Sequence, residues 1–358
     1  MTVFKRLTES GHKELLFFQS TAGNLKAIIA LHDTSLGITM GGTRLFPYPT
    51  EEEALRDVLR LSLGMTYKAA CAQIPVGGAK AVIIADPRSK TGELFEEYGR
   101  FVEELNGRFV TGQDVNIQPE DVLSMQKQTR FVVGTVGLGG GPAPATAEGL
   151  VQAMSVAVTK GLGCPGLRGL KIAIQGCGSV AENLCRLLSL QGAELFVSDI
   201  DAAKVKRIVD LYGATPVATN EIHKLPVDVF APCAMGGILN DDTIPDIKAK
   251  AVVGAANNQL GEEGHQRALC DRRILYIPDY VANAGGLINV YNEMIGRSEK
   301  EMWKHVFGIA ATTSDILDLA MKNSITPFEA SKTVATARLH EFRHMKRLSS
   351  TKKNLGIA

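Results

Sequence analysis

Apolar and polar positions along this chain alternate between two periods. Lys26-Ala-Ile-Ile-Ala-Leu-His32 is a near-continuous apolar run of strand length, whereas Ala54, Val58, Leu61 and Met65 recur at helical spacing. The helix they predict opens at Thr50-Glu-Glu-Glu53, where a threonine cap is followed three residues on by a glutamate, the pattern of a capping box. Residues 81–85 predict a second strand, 93–105 a helix and 108–111 a third strand. Gly137-Leu-Gly-Gly-Gly-Pro-Ala-Pro144 then breaks the pattern and reads as a linker or hinge between domains. Beyond it, 146–160 predicts a helix, 170–175 a strand, 182–191 a helix and 194–199 a strand. Shorter strands follow at 227–230, 251–254 and 275–277. Strands and helices in alternation predict an α/β protein whose second half is a doubly wound parallel sheet of Rossmann type.

Composition narrows the picture only a little. A length of 358 residues suits two domains, and 45% hydrophobic with 22% charged residues is ordinary for a soluble globular chain. A net charge of +1 gives no electrostatic reason to expect a nucleic-acid or membrane partner. The six cysteines form no CxxC pair, so reduced thiols and a cytoplasmic location are expected. The N-terminus lacks the apolar stretch of a signal peptide, and no uncharged run reaches membrane-spanning length. The tail after Met345 is basic and serine-rich and is expected to fray.

Candidate chemistry concentrates in two places. The first is Met65-Thr-Tyr-Lys-Ala-Ala-Cys-Ala-Gln-Ile-Pro-Val-Gly-Gly-Ala-Lys80, where Lys68 and Lys80 are the sole charges. Burial disfavours an ammonium ion, so a lysine in apolar surroundings can become an acid or base near neutral pH. The bland alternative is two lysines snorkelling out of a core element. Gly77-Gly-Ala79 reads as a turn feeding the strand, with Lys80 at the strand mouth. The second place is Gly176-x-Gly178-x-x-Ala181, between a predicted strand and a predicted helix, with Asp199 at the end of the next strand. That context fits a dinucleotide fingerprint. Gly176 allows the tight turn, Gly178 admits the pyrophosphate, and the helix N-terminus, with Ser179 and Val180, offers free N–H groups. Asp199 can accept hydrogen bonds from ribose hydroxyls and would repel a 2′-phosphate, which favours NAD over NADP. A tight turn that binds no dinucleotide is the alternative. His340-Glu-Phe-Arg-His344 matches the H-E-x-x-H zinc pattern, but no third ligand is evident and no metal is expected.

The ordered motifs resemble one family, the amino-acid dehydrogenases that act on glutamate, leucine, phenylalanine, valine and tryptophan. They are Met40-Gly-Gly-Thr-Arg44, Met65-Thr-Tyr-Lys68, Gly77-Gly-Ala-Lys80, Thr111-Gly-Gln-Asp114-Val-Asn116, the Gly176 fingerprint, Phe230-Ala-Pro-Cys-Ala-Met-Gly-Gly237, Gly254-Ala-Ala-Asn257-Asn258 and Pro278-Asp-Tyr-Val-Ala-Asn283-Ala-Gly-Gly286. The resemblance covers residues of about 10 to 345. It implies that Lys68 holds the substrate carboxylate, that Lys80 activates water, and that Asp114 is the acid/base aspartate. It implies that Thr146 and Asn257 hydrogen-bond the nicotinamide carboxamide, with Ala234 and Asn283 in the same cofactor site. In glutamate-specific relatives a lysine precedes the paired glycines; here Met40 precedes Gly41. By the same matching Ala69, Ile74, Val110, Leu287, Ile288 and Tyr291 line the side-chain pocket with Met40.

The expected protein is therefore an NAD-dependent enzyme with a substrate domain at 1–133, a cofactor domain at 134–326, a cleft between them, and residues 327–358 packed back on the first. The expected reaction is reversible oxidative deamination of an apolar L-amino acid, tryptophan or another aromatic ahead of leucine or valine, releasing ammonia. A homo-oligomer of at least two subunits is expected. A non-catalytic NAD-binding protein and a zinc hydrolase are the alternative classes. One departure stands out: the family's third glycine before the lysine is Ala79, whose methyl would crowd the backbone if that position needs φ > 0.

Overall fold

The computed structural model describes residues 3–134 and 137–354. The chain divides into two compact units, residues 1–136 with 335–358, and residues 137–334. The sequence reading put these boundaries at 133/134 and 326/327.

In the first unit the strands are β1 (Glu14–Ser20), β2 (Leu25–Leu31), β3 (Thr39–Met40), β4 (Thr43–Phe46), β5 (Gly77–Ile84) and β6 (Phe109–Val110), and the helices are α1 (Val3–Ser10), α2 (Glu51–Cys71), α3 (Gly92–Glu104) and α4 (Pro119–Gln126). The sheet order is β1-β2-β5-β3-β6, with β4 also paired to β5. β2 runs antiparallel to both β1 and β5, whereas β3, β4 and β6 add in parallel. β3 and β4 are one path interrupted at Gly41-Gly42.

Alternation along β5 sorts the two faces of this sheet. Ala79, Ala81 and Ile83 join Phe95, Tyr98 and Met125 in a core under α3 and α4. Val82 joins Ala54, Val58 and Leu59 in a second core under α2. Lys80 shares the α2 face. Thr50 caps α2 by accepting from the Glu53 N–H, as the capping pattern predicts. On the predicted face Ala54, Val58 and Leu61 are buried, and Met65 is half-buried.

The glycines before Lys80 differ from expectation. They do not form a turn: Gly77, Gly78 and Ala79 lie inside β5, and none has positive φ. Lys80 is thus the fourth residue of a strand rather than the residue at its mouth. The glycines are there because neighbours press close. A β-carbon on Gly77 would meet the Asp33 carbonyl at 1.6 Å, and one on Gly78 would meet the Thr66 amide at 2.1 Å. Ala79 occupies extended backbone, and its methyl is fully buried in the core under α3. The crowding anticipated for it does not arise.

The seam between α2 and β5 is also hydrogen-bonded. Thr66 Oγ1 accepts from the Gly78 N–H at 3.0 Å and lies 2.8 Å from His32 Nδ1. His12 Nε2 lies 2.7 Å from Ser62 Oγ, and the two imidazoles meet edge-on at 4.7 Å.

In the second unit a parallel sheet runs in the order β12-β11-β10-β7-β8-β9. Its strands are β7 (Lys171–Gln175), β8 (Glu194–Ser198), β9 (Thr215–Pro216), β10 (Val229–Pro232), β11 (Ala251–Val252) and β12 (Leu275–Tyr276). Its helices are α5 (Pro142–Val156), α6 (Ser179–Leu190), α7 (Ala202–Tyr212), α8 (His265–Asp271), α9 (Asp279–Ala282), α10 (Gly285–Met294) and α11 (Glu299–Asn323). The order reverses at β7, the switch point of a doubly wound sheet. α5 starts at Pro142, inside the predicted linker, because a proline at the first helical position costs no hydrogen bond. Only the five preceding linker residues, Gly137 to Gly141, keep a tight irregular path.

The last helix, α12 (Pro327–Asn354), begins in the second unit and ends in the first. There Arg338 donates to the Cys71 carbonyl, and Arg343 pairs with Asp33 at 2.6 Å. These contacts tie α12 to the first unit, and its helix runs to Asn354, past Met345 where the tail was expected to fray; residues 355–358 lie outside the described residues. Among the described residues no helix is long and apolar enough to cross a membrane.

Two stability predictions follow from the α2–β5 seam and from β5 itself. Burial pushes the His12 imidazole down to about 4, with the neighbouring His32 adding in the same direction, and burial lowers His32 as well. Below pH 6.5 the unfolded chain binds these protons and the folded chain resists them, so stability should fall as pH drops from 6.5 towards 4. Urea titrations at pH 7.5, 5.5 and 4.5 should show that fall, and His12→Asn should flatten it. Ala79→Gly should fold and turn over normally while losing about 0.5–1 kcal/mol, since glycine weakens a strand interior; a gain in turnover would mean that the methyl does disturb Lys80.

Candidate active site

The glycine break between β3 and β4 lets three backbone segments converge. A β-carbon on Gly41 would meet the Ala79 carbonyl at 1.7 Å, and one on Gly42 would meet the Gln113 carbonyl at 2.7 Å. The 110–115 segment then runs beside this path. The Gly41, Thr43 and Leu45 N–H groups donate in turn to the Val110, Gly112 and Val115 carbonyls. That register sets Asp114 beside Lys80 of β5 and Arg44 of β4.

The three side chains are joined. Lys80 Nζ lies 3.0 Å from Asp114 Oδ1, and Arg44 Nε donates to Asp114 Oδ2 at 2.9 Å. Burial alone would raise the Asp114 pKa, but the charges of Lys80 and Arg44 outweigh it and hold the carboxyl well below the usual carboxylate range. Arg44 reaches further: its Nη1 donates to Asp57 Oδ2 of α2 at 2.9 Å, and the Tyr48 hydroxyl donates to the same oxygen at 2.5 Å. Sequence motifs alone assign Arg44 no role, and they do not single out Asp57 or Tyr48. The available signal was a charged residue two positions beyond paired glycines in a strand.

Lys68 is half-buried on the last turns of α2. Met40 pairs across the sheet with Gly78 on one side and Val110 on the other, so both apolar side chains share the α2 face with Lys80. Ala69 and Ile74 bracket the end of α2, where the Ile74 N–H donates to the Ala69 carbonyl. Met40, Ala69, Ile74 and Val110 are all buried. In the second unit Leu287 and Tyr291 stand one turn apart on α10, beside the fully buried Ile288.

The second unit also holds the fingerprint residues. Gly176 has φ +99° and packs against Ala234, which follows β10. Gly178 precedes the first turn of α6, which carries Ser179 and Val180, and no side chain caps that turn. A β-carbon on Gly178 would meet nothing within 4 Å. Asp199 follows β8, and its carboxylate accepts from the Cys177 and Asp201 N–H groups. Burial opposes its charge and these backbone donors outweigh burial, so it stays below the ordinary range.

Asn283 Nδ2 donates to the Ala255 carbonyl and to Asn257 Oδ1, while its own Oδ1 is buried with no hydrogen-bond partner. Gly285 and Gly286 allow α10 to close on Ala145 and Thr146 of α5. An open glycine turn, an uncapped helix start, a carboxylate at the next strand end and an unfilled acceptor fit a nicotinamide dinucleotide.

Two family sequence models match the chain. The Glu/Leu/Phe/Val dehydrogenase dimerisation domain spans residues 15–136, and the Glutamate/Leucine/Phenylalanine/Valine dehydrogenase domain spans 197–351. This chain belongs to the Glu/Leu/Phe/Val dehydrogenase family. A Nostoc punctiforme protein described as L-tryptophan dehydrogenase is 51% identical over 97% of this chain and 98% of its own. Leucine dehydrogenase of Bacillus subtilis strain 168 is 42% identical over 96% and 95%. The crystal structure of L-tryptophan dehydrogenase from Nostoc punctiforme matches with a TM-score of 0.82 at 50% identity, over 96% of this chain and all of that one. The family's chemistry makes this chain an amino-acid dehydrogenase, an oxidoreductase acting on CH–NH2 with a nicotinamide cofactor. Among the described residues no three His, Cys, Asp or Glu side chains are grouped to hold a metal, and His340 and His344 are exposed on α12.

The open space above Gly178 gives a direct test of the cofactor site. Gly178→Ala should leave the melting temperature unchanged, because the methyl touches no protein atom. It should weaken NADH binding by on the order of tenfold, about 1.4 kcal/mol, in a fluorescence titration. Undiminished NADH affinity would mean that the dinucleotide does not approach this glycine.

Proposed function

We propose that this enzyme catalyses the NAD-dependent, reversible oxidative deamination of an apolar L-amino acid to its 2-oxo acid and ammonia. The observation that carries the substrate class is Met40. It is 2% exposed and pairs with Gly78 and Val110, where glutamate-specific relatives have a lysine. A second carboxylate would be buried there without a cation, which is costly. Small Ala69 and adaptable Met40 favour a large flat side chain. The Nostoc punctiforme relative described as L-tryptophan dehydrogenase supports the same order. We therefore rank tryptophan or another aromatic ahead of leucine or valine.

In the mechanism that we infer, the bound nicotinamide supplies the acceptor for the hydride that leaves Cα. Lys68 holds the substrate carboxylate by charge and so orients Cα. Lys80, once it has passed its ammonium proton to Asp114, takes a proton from water as the water oxygen adds to the carbon of the resulting iminium. Asp114, 3.0 Å from Lys80 Nζ, then gives its proton to the carbinolamine nitrogen, and the carbinolamine hydroxyl gives up its own proton to solvent as the C–N bond breaks and ammonia leaves. A carboxylate held so firmly anionic would be a weak base by itself, but next to Lys80 it needs to carry the proton only in passing. Gly176, Gly178 and the first turn of α6 with Ser179 and Val180 would hold the pyrophosphate, and Ala234 would border it. Asp199 would hold the ribose, with Thr146, Asn257 and Asn283 around the carboxamide. On the family resemblance, Leu287, Ile288 and Tyr291 of the second unit would also meet the substrate side chain. Asp199 repels a 2′-phosphate, which supports NAD over NADP. We also infer a homo-oligomer: Phe17 is 59% exposed on the edge strand β1, in the part matched by the dimerisation-domain model.

Comparing kcat/KM for L-tryptophan, L-phenylalanine, L-leucine and L-glutamate by NADH absorbance tests the substrate. Glutamate as best substrate would overturn the class, and leucine well ahead of the aromatics would overturn the ranking. Lys80→Ala and Asp114→Asn should each lower turnover by about 10²- to 10⁴-fold while NADH still binds. Near-normal turnover in either folded variant would remove that residue from proton handling. Equal efficiency with NADP would refute the part given to Asp199.

A further inference from the structure

We propose that Arg44, braced by Asp57 and Tyr48, is the positioning residue that fixes the Asp114 carboxylate for its exchange with Lys80. The inference rests on the reading of Asp114 as the proton-handling carboxylate.

The geometry supplies the argument. Asp114 has two oxygens, and each has one cation: Oδ1 faces Lys80 Nζ at 3.0 Å and Oδ2 accepts from Arg44 Nε at 2.9 Å. The side chains of Lys80 and Asp114 are only 6% and 10% exposed, so water does little of this work. A carboxylate held at one oxygen alone can rotate about its side-chain torsions and offer either oxygen to Lys80. Held at Oδ2, it presents Oδ1 in one orientation.

Arg44 is itself locked. Its Nη1 donates to Asp57 Oδ2, and Tyr48 donates to that same oxygen. A guanidinium can serve two carboxylates from one plane in this way, whereas an ammonium acts as a point charge. The groups acting on the Asp114–Arg44 pair thus come from three elements besides the Asp114 loop: Lys80 from β5, Asp57 from α2, and Tyr48 from the segment after β4. Asp57 and Tyr48 touch neither Lys80 nor Asp114 in this chain of contacts, so they act through Arg44.

Removing the Arg44 charge has a definite sign. Lys80 and Arg44 together hold the Asp114 carboxyl below its ordinary range against burial. Without Arg44, burial is opposed by one cation instead of two, and the Asp114 pKa rises. The acid limb of the pH–rate profile should move to higher pH.

The test is the pH dependence of kcat and kcat/KM for L-tryptophan, or for whichever amino acid proves the best substrate, in Arg44→Gln, Arg44→Lys, Tyr48→Phe and Asp57→Asn. Folding is checked by circular dichroism. Arg44→Gln should lower kcat at pH 8 by about tenfold or more and shift the acid limb upward by about one pH unit or more. The NADH dissociation constant should stay within about twofold of wild type. Arg44→Lys should keep the limb near its wild-type position while recovering only part of kcat, since charge returns without the fork. Tyr48→Phe and Asp57→Asn, which loosen Arg44 without removing its charge, should lower kcat by less than Arg44→Gln while changing the pH profile, and they carry the test if Arg44→Gln does not fold. A folded Arg44→Gln enzyme with the wild-type profile overturns the proposal, as do unmoved profiles in both Tyr48→Phe and Asp57→Asn. Asp114→Asn run alongside separates the two readings. If it is active, the role of Asp114 itself fails; if it is inactive while Arg44→Gln is normal, only the role of Arg44 fails.

Discussion

A carboxylate withdrawn from water has to be supplied with positive charge, and the Asp114 carboxylate receives it from two sides. Lys80, Asp114, Arg44 and Asp57 form a line of alternating charge, joined at 3.0, 2.9 and 2.9 Å. Such a line is weak evidence for stability, because desolvation offsets much of the attraction. It is stronger evidence for geometry, since removing one member leaves its neighbours buried and unmatched. The first unit is arranged to allow it. Arg44 sits opposite Val82 on β5, and the Thr43–Gln113 bridge brings the Asp114 loop alongside. Asp57 and Lys68 are eleven residues apart on α2, about three helical turns, so they lie on nearly the same face. The Arg44–Asp57 contact therefore lies on the side of α2 that also carries Lys68.

Glycine does different work in the two units. At Gly176 it supplies a positive φ and a close approach to Ala234, and at Gly178 it keeps a space clear. At Gly41, Gly77 and Gly78 the backbone is of the kind any residue adopts, and glycine is needed only because carbonyls and amides of neighbouring segments come within 1.6 to 2.1 Å of where a β-carbon would be. Seen this way, alanine at position 79 is no anomaly. It faces the opposite side of the sheet, where the core under α3 has room for a methyl group. Two adjacent glycines face two different neighbours, and the third position meets neither.

This distinction marks the limit of what could be read from the chain. The doubly wound sheet, the threonine cap of α2 and the glycine turn before α6 were legible, because periodicity and local turn chemistry are written over a few consecutive residues. The nature of β5 was not. A glycine pair looks the same in a turn and in a crowded strand, and the crowding comes from Asp33 and Thr66, residues distant in sequence. Lys80 could be singled out by its apolar surroundings, and Asp114 by the motif around it. Arg44 escaped a role because its partners, at 57 and 114, lie on a helix and a loop whose approach depends on sheet register. Strands β1, β3 and β4 were not read from the sequence, and a two-residue strand such as β3 carries no period; β6 was expected at 108–111 and spans Phe109–Val110.

Register also explains why the class of substrate is easier to infer than its rank. Met40 lies between Gly78 and Val110 in a parallel ladder, at 2% exposure. The sign of a charge that could be tolerated opposite it is fixed by that burial. An unmatched carboxylate there would forfeit its hydration with nothing in return. Ranking apolar side chains is a finer matter, because a methylene more or less in a hydrophobic pocket changes discrimination by only about 1–3 kcal/mol. Differences of that size turn on how Ala69, Ile74 and Met40 settle around a ring or a branched chain. Methionine is the residue least able to impose a single shape, because its thioether has three rotatable bonds. A substrate pocket built on Met40, as proposed, would reject a second charge firmly and sort apolar groups gently, so preference among them should be graded rather than absolute.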